Sequence, residues 1–433
     1  MPAPDTPPAP AAAGRHDPYA VFHRPLFRRF LLSALLVNIG TAAQSLAIGW
    51  EMYQRTDRAL ALGLIGLTQA VPMLLFTLPA GYLADVFDRR RVMIAGLVGT
   101  TLTSIALAIF SHQRGSIPIM YALLFFDAAF HRLAGPAGAA LLPQLVPASL
   151  FEAAVKWRTT LFHLAAAVGP AVGGAILSQS ITAAYLFSAA TTTIHIVVVS
   201  SLRLPESTRS RRGQMLRQLG EGLAFVWHQK LVLGAVSLDM VAVLLGGAVY
   251  LLPVYARDII QGSPFGMGPE QILGSLRAAP AAGSIVMALI LAHRPPMRGA
   301  GRAMLWAVAG FGVATVVFGF SRHFWLAWAM LFLTGFFDNI SVVVRHTLVQ
   351  LRTPNEMRGR VSAVNSIFIG SSNELGGFES GLVAQAFGPV ASVVSGGIGT
   401  LMVVAAWARL FPALRRFDTL SEPDPAPPAS PAP

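Results

Sequence analysis

The dominant pattern of the chain is an alternation of long apolar runs with short polar gaps. Apolar stretches of roughly 20 residues, the length that crosses a bilayer as a helix, recur about twelve times. We predict spans at 30–53, 60–82, 92–112, 116–138, 150–178, 181–202, 231–256, 269–292, 303–321, 324–346, 361–386 and 389–412. The pattern therefore predicts an all-α membrane protein with twelve transmembrane helices, and a lipid bilayer as its main surroundings.

Composition supports this prediction. Of 433 residues, 54% are hydrophobic and only 12% are charged, and the mean hydropathy is +0.59, values that do not fit a soluble protein. The net charge of +12 comes from arginines in the short gaps, not from a long basic arm, so we expect no nucleic-acid partner. The chain has no cysteine, which excludes disulfides and thiolate metal sites, and we expect no metal and no cofactor.

The arginines are distributed unequally between alternate gaps. If both termini lie on one side, the gaps of that side hold most of them, including Arg89 to Arg91 and Arg203 to Arg217. The gaps of the other side hold five, namely Arg55, Arg58, Arg114, Arg257 and Arg322. Loops rich in basic residues stay in the cytoplasm. We therefore predict a multi-pass protein of a cytoplasmic (inner) membrane with both termini cytoplasmic.

The longest hydrophilic gap follows the sixth span and divides the chain. We predict a disordered tail at 1–24, a six-helix half at 25–203, a cytoplasmic linker with an amphipathic helix at 204–230, a second six-helix half at 231–414 and a disordered Pro/Ala tail at 415–433. Phe125-Phe126-Asp127 of the fourth span recurs as Phe336-Phe337-Asp338 of the tenth. This recurrence indicates that the halves are pseudo-symmetric repeats.

The gap between the second and third spans carries the clearest local motif. It contains Gly81, Asp85 and the cluster Arg89, Arg90 and Arg91, and it resembles the cytoplasmic signature loop of the major facilitator superfamily. Val86 and Asp88 depart from that signature. We expect Asp85 to face the N-terminal end of the eleventh helix and to act as a gate. The alternative is a basic loop that only obeys the topology rule.

The fifth span contains Gly169, Pro170, Gly173 and Gly174. This segment resembles the end of a signature of the superfamily's proton-coupled exporters, although ordinary glycine-mediated helix packing is the alternative. In the second half, four segments resemble the enterobactin-exporter-like branch of the superfamily. They are Leu238 to Val249, Leu251 to Ala256, Arg358 to Asn365 and Ser372 to Gly381. The resemblance implies the major facilitator fold and bacterial export of a drug or siderophore.

Charged side chains inside the spans are the candidates for chemistry, because each costs roughly 2.5–3.5 kcal/mol at a helix centre unless it is paired or hydrated. Such a carboxylate can bind and release a proton, and we expect Asp239 and Glu374 to do so because their own helices are apolar or amide-rich there. Asp127, which has His131 one turn away, comes next, and Glu379 and Asp338 are further candidates. The alternative for any one of them is a structural salt bridge.

Several polar side chains within apolar spans are candidates for contact with a substrate. They are Asn38, Gln44, Arg132, Asn339, Arg345, Asn365 and Asn373. The sequence shows no nucleophile with a base and no nucleotide-binding loop, so we do not expect an enzyme. The leading prediction is a monomeric secondary transporter, a proton-coupled exporter of a small organic molecule. An importer of a small metabolite and a membrane sensor that does not transport remain as alternatives.

Overall fold

A computed structural model describes residues 19–202, 215–294, 297 and 299–418, with only the main chain described at Leu78, Asp85 and 215–219. The tails predicted to be disordered lie largely outside the described residues, as does most of the polar part of the linker. The described parts of these tails include the helical turn Ala20–His23 and the end of the helical turn Pro412–Arg416, and Val21 is buried, so disorder stays a prediction only for the remaining residues.

Twelve long helices follow one another along the described chain. They are α1 (Pro25–Thr56), α2 (Ala59–Val86), α3 (Arg89–His112), α4 (Ile117–Leu145), α5 (Phe151–Leu177), α6 (Ile181–Ser201), α7 (Lys230–Leu245), α8 (Pro269–Ala292), α9 (Ala300–Phe320), α10 (Phe324–Arg352), α11 (Arg358–Phe387) and α12 (Pro389–Leu410). A shorter linker helix, Met215–His228, precedes α7. Eleven spans in the described residues are long and apolar enough to cross a membrane. The exception, α11, is 30 residues long but carries many polar side chains. The prediction of an all-α membrane protein is confirmed.

The seventh span differs from its prediction as one continuous helix over 231–256. After α7 ends at Leu245, the chain continues as a 3-10 turn over Gly247–Leu251, one helical turn over Leu252–Val254 and a π turn over Tyr255–Ile259. The Gly246-Gly247 pair tolerates the break, and Pro253 supplies no amide hydrogen to a regular helix. A Cβ atom at Gly247 would collide with the carbonyl oxygen of Gly376. The break thus lies at a close contact with α11.

The helices of the two halves contact each other in the same pattern. In the first half α1 packs against α5 and α6, α3 against α4 and α6, and α2 against α4. The second half repeats these pairs six helices later, as α7 with α11 and α12, α9 with α10 and α12, and α8 with α10. The halves meet through α2 with α11 and α5 with α8. This repetition is the pseudo-symmetry that the recurring Phe-Phe-Asp triplets predicted.

The buried apolar residues divide unequally between the two ends of the bundle. We call the end at which α3 and α11 begin, next to Arg89 to Arg91, the basic end. At the opposite end one core contains residues of both halves, among them Trp50, Ile65, Leu252 and Leu276. Toward the basic end each half has a core of its own. Hydrophobic burial therefore joins the two halves at the opposite end.

Adjacent glycines of α5 serve different interfaces. A Cβ atom at Gly173 would lie 2.7 Å from the Cα atom of Ala43 in α1, and one at Gly169 would lie 2.7 Å from the Cβ atom of Ala42. A Cβ atom at Gly174 would instead lie 2.7 Å from the carbonyl oxygen of Glu270 in α8. The first contacts hold the first half together, and the last one holds the two halves to each other.

We expect substitutions at these glycines to have separable effects. Gly173→Leu should lower the melting temperature in detergent, because overpacking a helix contact costs roughly 1–3 kcal/mol. Gly174→Leu should instead lengthen the distance between two spin labels, one on α5 and one on α8, both placed at the end of the bundle opposite the basic end. Gly220→Leu is the control, because a Cβ atom there meets no atom within 4 Å. An unchanged label distance in Gly174→Leu would contradict this assignment.

Candidate functional site

A cavity of about 190 Å³ lies between the two halves. The first half contributes Ser45 and Gln69, and the second half contributes Tyr250, Arg277 and Glu374. The Tyr250 hydroxyl donates a hydrogen bond to Oε2 of Glu374. Glu374, predicted as a proton-coupling residue, therefore lies at the boundary between the halves, where the movement of either half changes its surroundings.

Two arginines lie near this carboxylate. Arg277 donates from Nη1 to the carbonyl oxygen of Val249 over 3.0 Å, and its guanidinium carbon lies 5.9 Å from the centre of the Tyr250 ring. Arg132 of α4 is near enough to Glu374 to interact electrostatically with it. In the described part of the chain neither arginine forms a direct ion pair with Glu374. The carboxylate thus balances positive charge at a distance, and within the described residues only Tyr250 donates a hydrogen bond to it.

The sequence did not predict Tyr250 or Arg277 as site residues. An arginine inside an apolar span is itself a signal, because an unpaired charge at that depth is unfavourable. Arg277 stands in such a span, 269–292, and was nevertheless not singled out. No pattern in the sequence identifies Tyr250, because its contact with Glu374 joins residues 124 positions apart.

Asp127 lies in a second polar group, inside the first half. Thr103 donates to Oδ1 of Asp127 over 2.7 Å, and Gln44 donates from Nε2 to Oδ2 over 3.2 Å. Ser104 in turn donates to Oε1 of Gln44 over 2.7 Å. Only neutral groups donate to this carboxylate among the residues that the structure describes. Gln44, predicted to contact substrate, is committed to this network.

The surroundings of Asp239 differ from those predicted. The expectation that they are apolar is wrong, because α10 brings Arg345 into a buried ion pair with Oδ2 of Asp239. The Ser341 hydroxyl lies 3.4 Å from Oδ1. Arg345, predicted to contact substrate, is only 2% exposed. The pair favours a structural role for both side chains, since removing one partner would leave a buried charge.

The remaining predicted residues are spread over the bundle. Asn38 and Asn373 donate to the carbonyl oxygens four residues before them, over 2.7 and 2.8 Å. Oδ1 of Asn339, Oδ1 of Asn365 and Nε of Arg132 are buried without a hydrogen-bond partner among the described residues. The two amide oxygens can accept a hydrogen bond from a ligand or water, and the Arg132 Nε–H group can donate one. Glu379 receives a hydrogen bond from Ser380 over 3.3 Å. Within the described residues the side chain of Asp338 makes no hydrogen bond.

The predicted gate loop is anchored within the first half. Asp88, which departs from the family signature, accepts a hydrogen bond from the backbone amide of Arg91 over 2.9 Å and so caps α3. Arg89 donates to the carbonyl oxygen of Ala140 over 3.3 Å, and Arg90 donates to that of Ser200. The side chain of Asp85 lies outside the described residues, so its contact with α11 stays a prediction.

A polar latch joins the halves at the opposite end. Nη2 of Arg257, in the π turn after α7, lies 2.6 Å from Oδ1 of Asp57, which follows α1. The Tyr53 hydroxyl donates to Asp258, and the Arg257 guanidinium stacks on the Tyr53 ring at 4.2 Å. The sequence had indicated only a loop charge at Arg257. The latch closes this end above the shared core.

We expect the buried pair to be structural. Asp239→Ala should lower the free energy of unfolding by roughly 3–5 kcal/mol, because it leaves Arg345 charged and buried. The double variant Asp239→Ala/Arg345→Met should recover most of that loss, since it removes both charges. Lys156→Ala is the control, because Lys156 pairs with Glu152 on the surface. Melting temperatures measure all three, and a fully stable Asp239→Ala would contradict the assignment.

We expect the latch to control opening and not folding. Arg257→Gln should change the melting temperature little, since partly exposed ion pairs contribute roughly 0.2–1 kcal/mol each. The same variant should broaden the distance between labels on α1 and α7 at the opposite end. Arg322→Gln, a change at the same end, should leave this distance distribution unaltered. Identical distributions in both variants would show that the latch does not hold this end closed.

The chain is 27% identical over 418 residues to the multidrug efflux pump Tap of Mycobacterium tuberculosis, and the aligned region covers 91% of this chain and 95% of that protein. It is 26% identical over 407 residues to the enterobactin exporter EntS of Escherichia coli, over 91% and 93% of the two chains.

Solved structures give the fold. An inward-facing, occupied structure of a bacterial homologue of the human lysosomal transporter Spinster superposes with a TM-score of 0.72 at 11% identity, over 92% of this chain and 98% of that one. A D-xylose–proton symporter superposes with a TM-score of 0.68 at 13% identity, over 90% and 98%.

The sequence profile of the family described as transmembrane secretion effector matches residues 16–429. This match spans nearly the whole chain, and the similar proteins are transporters and not enzymes. The chain therefore belongs to the transmembrane secretion effector family of the major facilitator superfamily and is a multi-pass membrane transporter.

Proposed function

We propose that this transporter is a proton-coupled exporter of a small organic molecule in a bacterial inner membrane, with the basic end in the cytoplasm. Tap is named an efflux pump and EntS an exporter, which supports the direction. The arginines of the basic end support the orientation. In that orientation the separate cores face the cytoplasm and the latch faces outward, which is the arrangement of an inward-facing state.

The position of Glu374 is the observation that carries the proposal. The residue lines a cavity shared by both halves, and Arg277 and Arg132 surround it without pairing with it directly. When Glu374 is ionised, it offsets part of this positive charge. When it is protonated, the positive charge is uncompensated, so the preferred arrangement of the halves changes with its protonation.

These two states give an export cycle. In the inward-facing state Glu374 releases its proton to the cytoplasm and a substrate enters. The halves then separate at the latch and close at the basic end. On the outer side the substrate leaves and Glu374 takes up a proton, which returns the protein to the inward-facing state. Asp127 is a second candidate for the proton, since only neutral groups donate to it.

We expect Glu374→Gln to separate coupling from exchange. An amide imitates the protonated carboxyl group, so in proteoliposomes uphill transport driven by a pH gradient should fall to background. Exchange of substrate at equal pH should persist, because it needs no net proton movement. Glu374→Asp should restore part of the uphill transport. Glu356→Gln, the same change at an exposed position between α10 and α11, is the matched control.

The alternatives predict other results in inside-out vesicles. With an acidified interior, an exporter accumulates its substrate there, whereas a proton-coupled importer does not. A membrane sensor gives no flux in either direction. Full pH-driven accumulation by Glu374→Gln would remove Glu374 from the coupling mechanism.

A further inference from the structure

A larger cavity, of about 450 Å³, lies inside the first half. It is bounded by α1, α3, α4, α5 and α6 toward the basic end, and we call it the side pocket. Its volume falls in the range of about 300–1,000 Å³ that is usual for small-molecule sites. The cavity between the halves is less than half as large. The side pocket is therefore large enough to hold a drug-sized molecule, as is a third cavity, of about 690 Å³, beside Glu51 and Arg55 at the opposite end.

Most of its wall is apolar. Phe30, Leu35, Leu97 and Phe162 are among the side chains that line it. The polar lining includes His195, whose Nδ1 lies 2.7 Å from the hydroxyl of Ser33. The hydroxyl of Thr192 bonds the carbonyl oxygen of Ser188 over 2.9 Å. Such walls accept an aliphatic or aromatic body and offer it few hydrogen bonds.

The wall carries one charged side chain among the described residues. Arg158 of α5 supplies it, and the imidazole of His131 of α4 lies on the same wall. Among the lining residues no carboxylate is found in the described chain, and Arg158, which is exposed, pairs with no acid there. An organic cation would meet an unpaired arginine in this pocket, which is unfavourable. An anion would complete the pairing.

We propose that the side pocket binds the apolar body of an amphiphilic monocarboxylate whose carboxylate meets Arg158. The planar guanidinium fork matches a carboxylate. A second charge on the ligand would lie against apolar walls at a large desolvation cost, so the ligand carries one. This ligand would be the substrate class of the exporter proposed above, and the biological role of the side pocket depends on that proposed function. Equilibrium binding, however, needs no gradient and is tested separately.

The binding test uses three matched fluorescent probes and the full chain in phosphatidylcholine nanodiscs. The probes are 1-pyrenebutanoate, its neutral methyl ester and pyrenebutyltrimethylammonium. We expect the carboxylate to bind at least about tenfold more tightly than the ester, the gain of one charge-assisted pair. The cation should bind most weakly. Tighter binding of the cation would overturn the proposal.

Two variants locate the site. Arg158→Gln should remove the preference for the carboxylate over the ester, and Arg158→Lys should keep part of it. Gly138→Leu should weaken both probes, because a Cβ atom there meets only the flexible end of Met93, at 3.3 Å, and the side chain then occupies the pocket. Arg302→Gln and Gly220→Leu, the same changes at exposed positions outside the pocket, should bind as the unaltered protein does. Unaltered binding in Arg158→Gln or Gly138→Leu would overturn the proposal.

The lipid composition of the nanodiscs distinguishes a bound lipid from a soluble substrate. If phosphatidylglycerol added to the nanodiscs displaces the carboxylate probe from the unaltered protein, the pocket holds an anionic lipid and the proposal is overturned. If the probe stays bound, a soluble monocarboxylate is supported. The transport experiment on Glu374 is independent of these measurements. Specific probe binding without pH-driven flux would refute the proposed exporter but not the proposed ligand of the side pocket. Flux without specific probe binding would refute the proposed ligand but not the exporter.

Discussion

The structure depends on one constraint, that an ionisable side chain between apolar helices needs a partner or water. Glu51, only 2% exposed, illustrates a complete solution. Arg55 lies 3.2 Å from its Oε1, and the Tyr185 hydroxyl donates to its Oε2 over 2.8 Å. Arg345 and Asp239 are a second complete solution. Groups of this kind fix helices of the same half to one another, and they have little freedom to exchange a proton.

Ionisable side chains that lack a complete set of partners mark the places where a proton or a ligand can bind. Glu374 has a hydroxyl donor and two arginines at a distance, and Asp127 has two neutral donors. Arg158 has no acidic partner in the described chain. Glu51 and Asp239 satisfy their charges within one half. Glu374 and Arg158 instead line cavities, where water, a proton or a ligand can complete the set.

The sequence predicts the spans well because hydropathy is local to each helix. Pairing is not local, so the sequence predicted neither the Asp239 to Arg345 contact nor the approach of Tyr250 to Glu374. The break after Leu245 was missed because Gly246-Gly247 and Pro253 are common inside membrane helices. Arg257 was read as a loop charge, since nothing near it in the chain indicates that Asp57 lies opposite. The sequence identified Glu374, Asp127 and Asp239 but not the buried Glu51, and their partners determine which of them are free.

The proposed locations of the proton and the substrate have an energetic consequence. Glu374 belongs to the second half and the side pocket to the first, so a coupled cycle would link them through the α2–α11 and α5–α8 contacts. Export of a monoanion in exchange for one proton moves two positive charges inward in total. Each charge gains roughly 2.3 kcal/mol per 100 mV of membrane potential. Under a potential that is negative inside, such a substrate is driven outward even without a pH difference. The Arg158 site would then hold an anion that the membrane potential already favours expelling, and the proton at Glu374 would add the second charge.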